Sequence, residues 1–387
     1  MNFGKGISMI YLDNCASSFP KPKEVAKAMT RAINVFGANP GRSGHFLSLY
    51  AANEVYNCRE IVGQLFNLPP ERVIFTLNAT MAINIALKGA LLEGNEVIVS
   101  DFEHNAIIRP LKALEKIGVT YKQACVDLYD DSKTIKAFEQ QITNKTRMLA
   151  CTHCSNVLGK VVPIKQLGEL AKKRGLLFLV DAAQTAGSIN IDVNENNIDY
   201  LCLAGHKGLY GPQGIGALLI NNVQLLSTII EGGTGVNSKQ LVQPMEMPER
   251  YESGTINTPG IVGLKEGMKF INKIGLNNIL EYEKNLILFA YDELKNINKV
   301  RLYTNRPNEG FANVLPFNIE GFHSNEVAEY LDNNFLMTRS GYHCAPTAHK
   351  KLNTLESGTV RISVSIFNTK KDIEKLLLLV KKFIKSK

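Results

Sequence analysis

Lys207 lies in Ala204-Gly205-His206-Lys207-Gly208, directly after the apolar run Tyr200 to Leu203. An amine at the end of a buried strand loses solvation, so its pKa falls and the neutral amine becomes a nucleophile toward an aldehyde. Asp181 closes another apolar run, Leu176 to Val180. A carboxylate there needs a cationic partner, because an unpaired buried charge is very costly. The two residues can form a plain ion pair or face a ligand from two sides, and on their own they leave both readings open.

Other turns offer complementary groups. Thr76-Leu77-Asn78-Ala79-Thr80 leads into a helical pattern whose first amides are unpaired and electropositive, a natural phosphate seat; Asn78 or Thr80 can equally serve only as an N-cap. Asp101-Phe102-Glu103-His104-Asn105 sets an imidazole and two carboxylates at a further turn, although a single loop histidine is more often structural. Asn156, in His153-Cys154-Ser155-Asn156, offers a side-chain donor. Arg361 sits among Val360, Ile362 and Val364, the pattern of a partly buried strand, and a guanidinium can fork a carboxylate with two hydrogen bonds. Cys344 lies in Arg339-Ser340-Gly341-Tyr342-His343-Cys344-Ala345-Pro346, a polar loop in which an accessible thiol beside a histidine can be reactive. Cys15, Cys58, Cys125, Cys151, Cys154 and Cys202 fall in helix or strand patterns or turns and read as packing residues.

The elements that must position these groups alternate. Strand-like runs are expected at Val73 to Thr76, Glu96 to Ser100, Met148 to Thr152, Leu176 to Val180, Tyr200 to Leu203 and Ile215 to Ile220. Helical patterns intervene at Thr80 to Leu92, Ile107 to Ile117, Ser132 to Gln141 and Pro163 to Arg174. This alternation predicts a mainly parallel sheet covered by helices, and ligands in such sheets bind beyond the carboxyl ends of the strands, where the residues above collect. A Gly-, Asn- and Pro-rich stretch over residues 221–260 feeds a helix from Ile261 to Lys273. An α+β unit follows: a helix over Asn277 to Asn296, strands at Val300 to Tyr303 and Ala312 to Asn318, a helix opened by Ser324 and a strand from Thr359 to Ile366. The tail puts Ile373, Leu376, Leu377, Val380, Phe383 and Ile384 on one helical stripe.

A helix N-terminus for phosphate, a carboxylate for a ring nitrogen, a lysine for an aldehyde and a histidine for a ring face are together what pyridoxal phosphate requires. The segments YLDNCASSFPKP, NATMAIN, DFEHNAI, CSNVLG, VDAAQ, AGHKGLYGPQGIG, YESGT, RSGYHCAP and VRISVSIFNT stand in the order seen in the class V aminotransferase family. The chain resembles its cysteine desulfurase branch, nearer the type with a short active-site loop, which includes selenocysteine lyases. The motifs span residues 11–369.

The resemblance implies pyridoxal-phosphate fold type I: an N-terminal segment (residues 1–20) associated with the small domain and active site, a large α/β cofactor domain with a mainly parallel seven-stranded sheet (21–260), and a small α+β domain (261–387). By similarity, Lys207 holds the cofactor as a Schiff base, Asp181 pairs with the ring nitrogen, His104 stacks on the ring and shuttles protons, Gln184 contacts the ring oxygen and Asn156 orients ring and substrate. Ala79, Thr80 and His206 hold the phosphate together with Thr255 from a second subunit, which implies a homodimer. Arg361 binds the substrate carboxylate, with Arg339, His45 and Asn14 around it. Cys344 takes the sulfur of L-cysteine as a persulfide, leaving L-alanine, and an acceptor protein or small thiol then removes it. Two positions depart from the family: Ala79 and Ala204 stand where hydroxyl residues are usual. Selenocysteine as substrate, or a lyase or aminotransferase without sulfur transfer, are the neighbouring enzyme readings.

Composition excludes other classes. The 387 residues are 45% hydrophobic, without a run long enough to span a membrane or a secretory leader at MNFGKGISMIYLDN, so a cytoplasmic protein with reduced thiols is expected. The net charge is +8, and residues 370–387 alone hold seven Lys against Asp372 and Glu374, so most of the excess sits on one helix and nucleic acid is not required. Gly211-Pro212-Gln213-Gly214-Ile215-Gly216 precedes a strand, the wrong order for a dinucleotide loop. Cys151 and Cys154 have no second close pair to complete a zinc site, so no metal is expected.

Overall fold

A computed structural model of the chain describes residues 9–41, 43–222, 224–307 and 310–386. Residues 1–8, the start of the N-terminal segment, and Lys387 lie outside the described residues.

Strand β1 (Ile10–Tyr11) precedes helices α1 (Lys23–Asn34) and α2 (Phe46–Phe66). Strands and helices then alternate: β2 (Val73–Thr76), α3 (Ala79–Ala90), β3 (Glu96–Ser100), α4 (Asn105–Leu114), β4 (Thr120–Ala124), α5 (Asp131–Gln141), β5 (Thr146–Thr152), α6 (Ile164–Arg174), β6 (Leu177–Asp181), β7 (Tyr200–Ala204) and β8 (Gly216–Ile220). These strands make one seven-stranded sheet in the order β2-β8-β7-β6-β5-β3-β4, in which only β8 runs against its neighbours. Strands β3, β6, β7 and β8 are buried at every position, as sheets covered on both faces require, and this is why they read as continuous apolar runs. The expected runs correspond to these strands within two residues. Strand β4 is an addition: it forms one edge of the sheet, and TYKQA buries only Ala124.

The chain continues through α7 (Thr258–Ile274), α8 (Leu276–Leu294), β9 (Val300–Leu302), β10 (Val314–Ile319), α9 (Ser324–Asn333), β11 (Leu336–Met337), α10 (Pro346–Lys351), β12 (Val360–Ser363) and α11 (Lys370–Ser386). Strands β12, β10 and β9 form an antiparallel sheet, and β1 pairs in parallel with β11, tying the start of the chain to this smaller unit. Its core gathers Leu12, Phe317, Ile362, Leu376 and Phe383; helix α11 buries the expected stripe. Helix α7 departs from the boundary at residue 261: its Ile261, Leu264, Met268 and Ile271 pack into the larger core. Helix α9 starts at Ser324, but its cap is His323, whose side chain and that of Glu326 complete a capping box. Among the described residues no helix is long and apolar enough to cross a membrane, and no cluster of three or more metal-ligating side chains occurs.

Candidate active site

The carboxyl ends of β3, β5, β6 and β7 open onto a cavity of about 220 Å³. The sheet contributes His104, Asn156, Asp181, Gln184, His206 and Lys207; the start of α3 contributes Ala79 and Thr80; the smaller unit closes it with Arg339 and Arg361. Asn78 is an N-cap, its side chain accepting from the Met81 amide at 2.9 Å. The Ala79 and Thr80 amides have no partner among the described residues and stand at the positive end of the helix dipole. The turn bearing Lys207 is fixed by close packing: a Cβ on Gly187 (φ +96°) would come within 2.1 Å of the Gly208 carbonyl oxygen.

Lys207 Nζ has no hydrogen bond or ion pair among the described residues. Burial pushes its pKa down, against the opposing pull of Asp181. Among the described residues Asp181, 4% exposed, accepts only the Ala183 amide, at 2.9 Å, and burial raises its pKa. The two therefore interact through space without forming an ion pair, which leaves each free to meet a ligand. His104 caps α4, its Nδ1 accepting from the Ala106 amide at 3.0 Å; burial, then the charge of Lys207, lowers its pKa to about 4, so it is neutral with the proton on Nε2. His206 is likewise lowered to about 4 by burial, and its buried Nδ1 has no partner among the described residues. Glu103, next to His104 in the chain and fully buried, takes the Thr152 amide (3.0 Å) and the Ser100 hydroxyl (2.5 Å), joining the ends of β3 and β5.

Cys344 is exposed on the loop between β11 and α10. Both His343 (φ +50°) and Cys344 (φ +58°) adopt left-handed backbone, uncommon for residues other than glycine. The loop is pinned on each side: Asn156 Nδ2 donates to the His343 carbonyl at 2.6 Å, and His343 Nε2 meets Thr359 at 3.1 Å. Arg339 Nη2 lies 3.8 Å from Cys344 Sγ. Arg361 is 1% exposed; Nη1 donates to the Asn156 carbonyl at 2.9 Å, Nη2 pairs with Asp13 at 2.5 Å, and the buried Nε has no partner among the described residues.

Three expected residues stand elsewhere. The Asn14 side chain is spent on Ser363, Asn368 and Phe19, His45 caps α2, and Thr255 is exposed beside the start of α7; none lines this chain's cavity. Two cysteines depart from the packing expectation. Cys125 is exposed, with Lys351 Nζ 3.3 Å from its sulfur, because the edge strand β4 ends just before it. Cys15, though buried, lines the cavity, drawn there by its amide donating to Ser363 and its carbonyl accepting from Gln184. Asp13 is visible in the sequence only as a member of the motif YLDNC, and Glu103 only as one of the two carboxylates beside His104.

The pattern of the aminotransferase class-V family matches residues 10–376. A protein of Pyrococcus abyssi named a probable cysteine desulfurase is 32% identical over 98% of this chain and 95% of its own, and one of Methanothermobacter thermautotrophicus with the same name is 33% identical over 95% and 92%. The apo structure of a cysteine desulfurase from Thermococcus onnurineus NA1 superposes with a TM-score of 0.91 at 32% identity, covering 98% of this chain and 95% of that one. The cysteine desulfurase CsdA from Escherichia coli gives 0.87 at 26% identity, covering 97% and 95%.

Proposed function

The chain belongs to the class-V aminotransferase family, and from that premise we propose that it is a pyridoxal-phosphate-dependent cysteine desulfurase, converting L-cysteine to L-alanine and taking the sulfur onto Cys344. The observation that carries the reading is the pairing of an unpartnered Lys207 amine at the cavity with an exposed thiol on the loop that closes it.

The residues fit the cofactor. The free Ala79 and Thr80 amides and the orphaned His206 Nδ1 suit its phosphate, and the buried Asp181, lacking any cation, suits a protonated ring nitrogen. Lys207 would hold its aldehyde, His104 would cover the ring face and Gln184 would reach the ring oxygen. When bound, the cofactor supplies an electron sink for charge developing at the substrate's Cα.

The chain's own groups do the rest. Arg361 receives the substrate carboxylate at Nε, the one guanidinium nitrogen without a partner. Lys207, its pKa lowered, takes and returns a proton at Nζ, and His104 donates from Nε2 because its Nδ1 is engaged. The Cys344 thiolate attacks the substrate sulfur: a sulfur–sulfur bond forms, the carbon–sulfur bond breaks, and L-alanine and a Cys344 persulfide result from L-cysteine and one thiol. Arg339 sets a positive charge beside that sulfur. Thr255, exposed here, would complete the phosphate seat of a second subunit in a homodimer.

The test is alanine formation from L-cysteine by the cofactor-loaded protein, with L-selenocysteine alongside to rank the two substrates. Cys344→Ala is expected to keep the cofactor's absorbance and lose desulfuration. Undiminished sulfide release by that variant would remove Cys344 from the reaction, and a protein that cannot be loaded with pyridoxal phosphate would remove the reading altogether.

A further inference from the structure

Cys344 stands where two cavities meet. The inner one holds Lys207 and Asp181; an outer one, of about 340 Å³, runs along α3 and α4. They share Thr80, His104 and Ala106, but Cys344 lines only the outer one. The Asn105 amide, first in α4, donates to the Cys344 carbonyl at 2.8 Å, so the thiol-bearing turn is fixed to the wall of this groove.

The groove has a definite chemical character. Lys88 of α3 and Arg109 of α4 line it, both are exposed, and neither forms an ion pair among the described residues. No carboxylate lines it, and Pro110 and Ala113 give it an apolar strip. Its volume lies in the range of small-molecule pockets, roughly 300 to 1,000 Å³.

We propose that this outer groove binds the sulfur acceptor, and that the acceptor it fits is a small thiol bearing carboxylates. The proposal rests on the desulfurase reading for the origin of the persulfide. The carboxylates lie against Lys88 and Arg109, and the thiolate attacks the outer sulfur of the Cys344 persulfide. The old sulfur–sulfur bond breaks, a new one forms on the acceptor, and Cys344 leaves as a thiolate and regains the proton lost by the acceptor. No oxidant or reductant is consumed. Substrate and acceptor thus reach one sulfur from different cavities.

The groove can be tested without the cofactor. In a Cys125→Ser background, which removes the other exposed thiol, Cys344 is converted to its mixed disulfide with 5-thio-2-nitrobenzoate, and delivery of mercaptosuccinate, 2-mercaptoethanol and cysteamine to the Cys344 sulfur, one atom inward of a persulfide's outer sulfur, is timed by release of the yellow anion. The rate with mercaptosuccinate should saturate. It should also fall about tenfold, relative to 2-mercaptoethanol, in Lys88→Glu/Arg109→Glu, while cysteamine gains. A linear dependence on every thiol, or the same charge ranking before and after the double substitution, overturns the proposal and points to a macromolecular acceptor. Cofactor-loaded protein given L-cysteine reads the other half separately: absence of alanine defeats the desulfurase reading whatever the exchange shows, and normal alanine formation with charge-blind exchange defeats the groove alone.

Discussion

Asp13 Oδ1 lies 2.5 Å from Nη2 of Arg361, so the guanidinium proposed to bind the substrate carboxylate already carries a counter-ion. Both groups belong to the junction of the smaller unit with the cavity, where Asp13 bridges Ser363. A carboxylate so placed fixes the arginine and offsets its charge. Asp13→Asn keeps an oxygen for the hydrogen bond and removes the offset, so KM for L-cysteine is expected to fall about three- to tenfold while folding stability drops by about 1–3 kcal/mol. Arg361→Lys should raise KM instead, since an ammonium cannot hold Asp13, Asn156 and the substrate in one plane. Steady-state kinetics and denaturant titration of the two variants check the opposite signs; a raised KM in Asp13→Asn would mean that the carboxylate positions the arginine more than it competes for it.

Acid and base should weaken the empty protein for different reasons. Burial lowers His104, His153, His206 and His349 to about 4 and His343 to about 2, so between roughly pH 4 and 6.5 the unfolded chain binds protons that the native one refuses, and stability is lost as pH falls through that window. Burial raises Glu103 and Glu283 to about 8 and Asp181 in the same direction, so these carboxyls hold native protons that the unfolded chain has released, and stability is lost as pH rises from about 4.5 to 8. Five imidazoles outweigh three carboxyls below pH 6.5; above it the carboxyls act against Lys21, lowered by burial to about 8, and Lys207, lowered in the same direction, whose native amines release protons that the unfolded chain keeps. Urea midpoints should therefore rise from pH 5 to 6.5 and fall again by pH 8. A continued rise to pH 8 would show that Lys21 and Lys207 outweigh the buried carboxyls Glu103 and Glu283.

The chain's own order made the strand ends readable, and distance hid the rest. Asp181 and Lys207 could be singled out because a doubly covered strand is a continuous apolar run and the first polar residue after it falls at the cavity. The same rule passed over β4, which lies at the edge and is half polar. The pair Asp13–Arg361 spans 348 residues, and no local pattern announces such a contact. Cys15 and Cys125 show the limit for single side chains: nothing beside either residue marks its exposure, and only tertiary packing brings one to the cavity and leaves the other in solvent.

A second buried ion pair fastens the edge of the large sheet. Glu252 accepts from the Phe75 amide of β2 at 2.5 Å and is clasped by Arg59 of α2, which also reaches the Val73 carbonyl and lies 4.6 Å from the centre of the Phe75 ring. The side chains are 7% and 6% exposed. Removing one charge strands the other, so Glu252→Gln or Arg59→Met alone should cost about 3–5 kcal/mol, whereas Arg59→Met/Glu252→Leu together should recover much of it. Denaturant titration of the three variants decides: additive losses would mean that the amide and carbonyl contacts, rather than the charge pair, carry the edge.

Ala79, Ala183 and Ala204 pack against one another at the wall of the cavity, and Ala79 and Ala204 are the two positions at which the resemblance leads one to expect hydroxyls. Ala79 is the first residue of α3, beside the free amides, so Ala79→Ser offers a further donor to a bound anion at little cost to the helix. One neutral hydrogen bond is worth about 0.5–1.5 kcal/mol, so pyridoxal phosphate should bind about two- to twelvefold more tightly. Ala204 ends β7, is 2% exposed and packs against Ala79 and Ala183, so an added hydroxyl crowds that contact until a bound anion engages it. Ala204→Ser should therefore destabilise the empty protein by about 1–3 kcal/mol and regain that stability when the cofactor is added. Fluorescence titration with pyridoxal phosphate and melting with and without it separate the two effects. If both variants bind more weakly, the three alanines are a packing contact with no room for oxygen, and the phosphate seat must lie away from them.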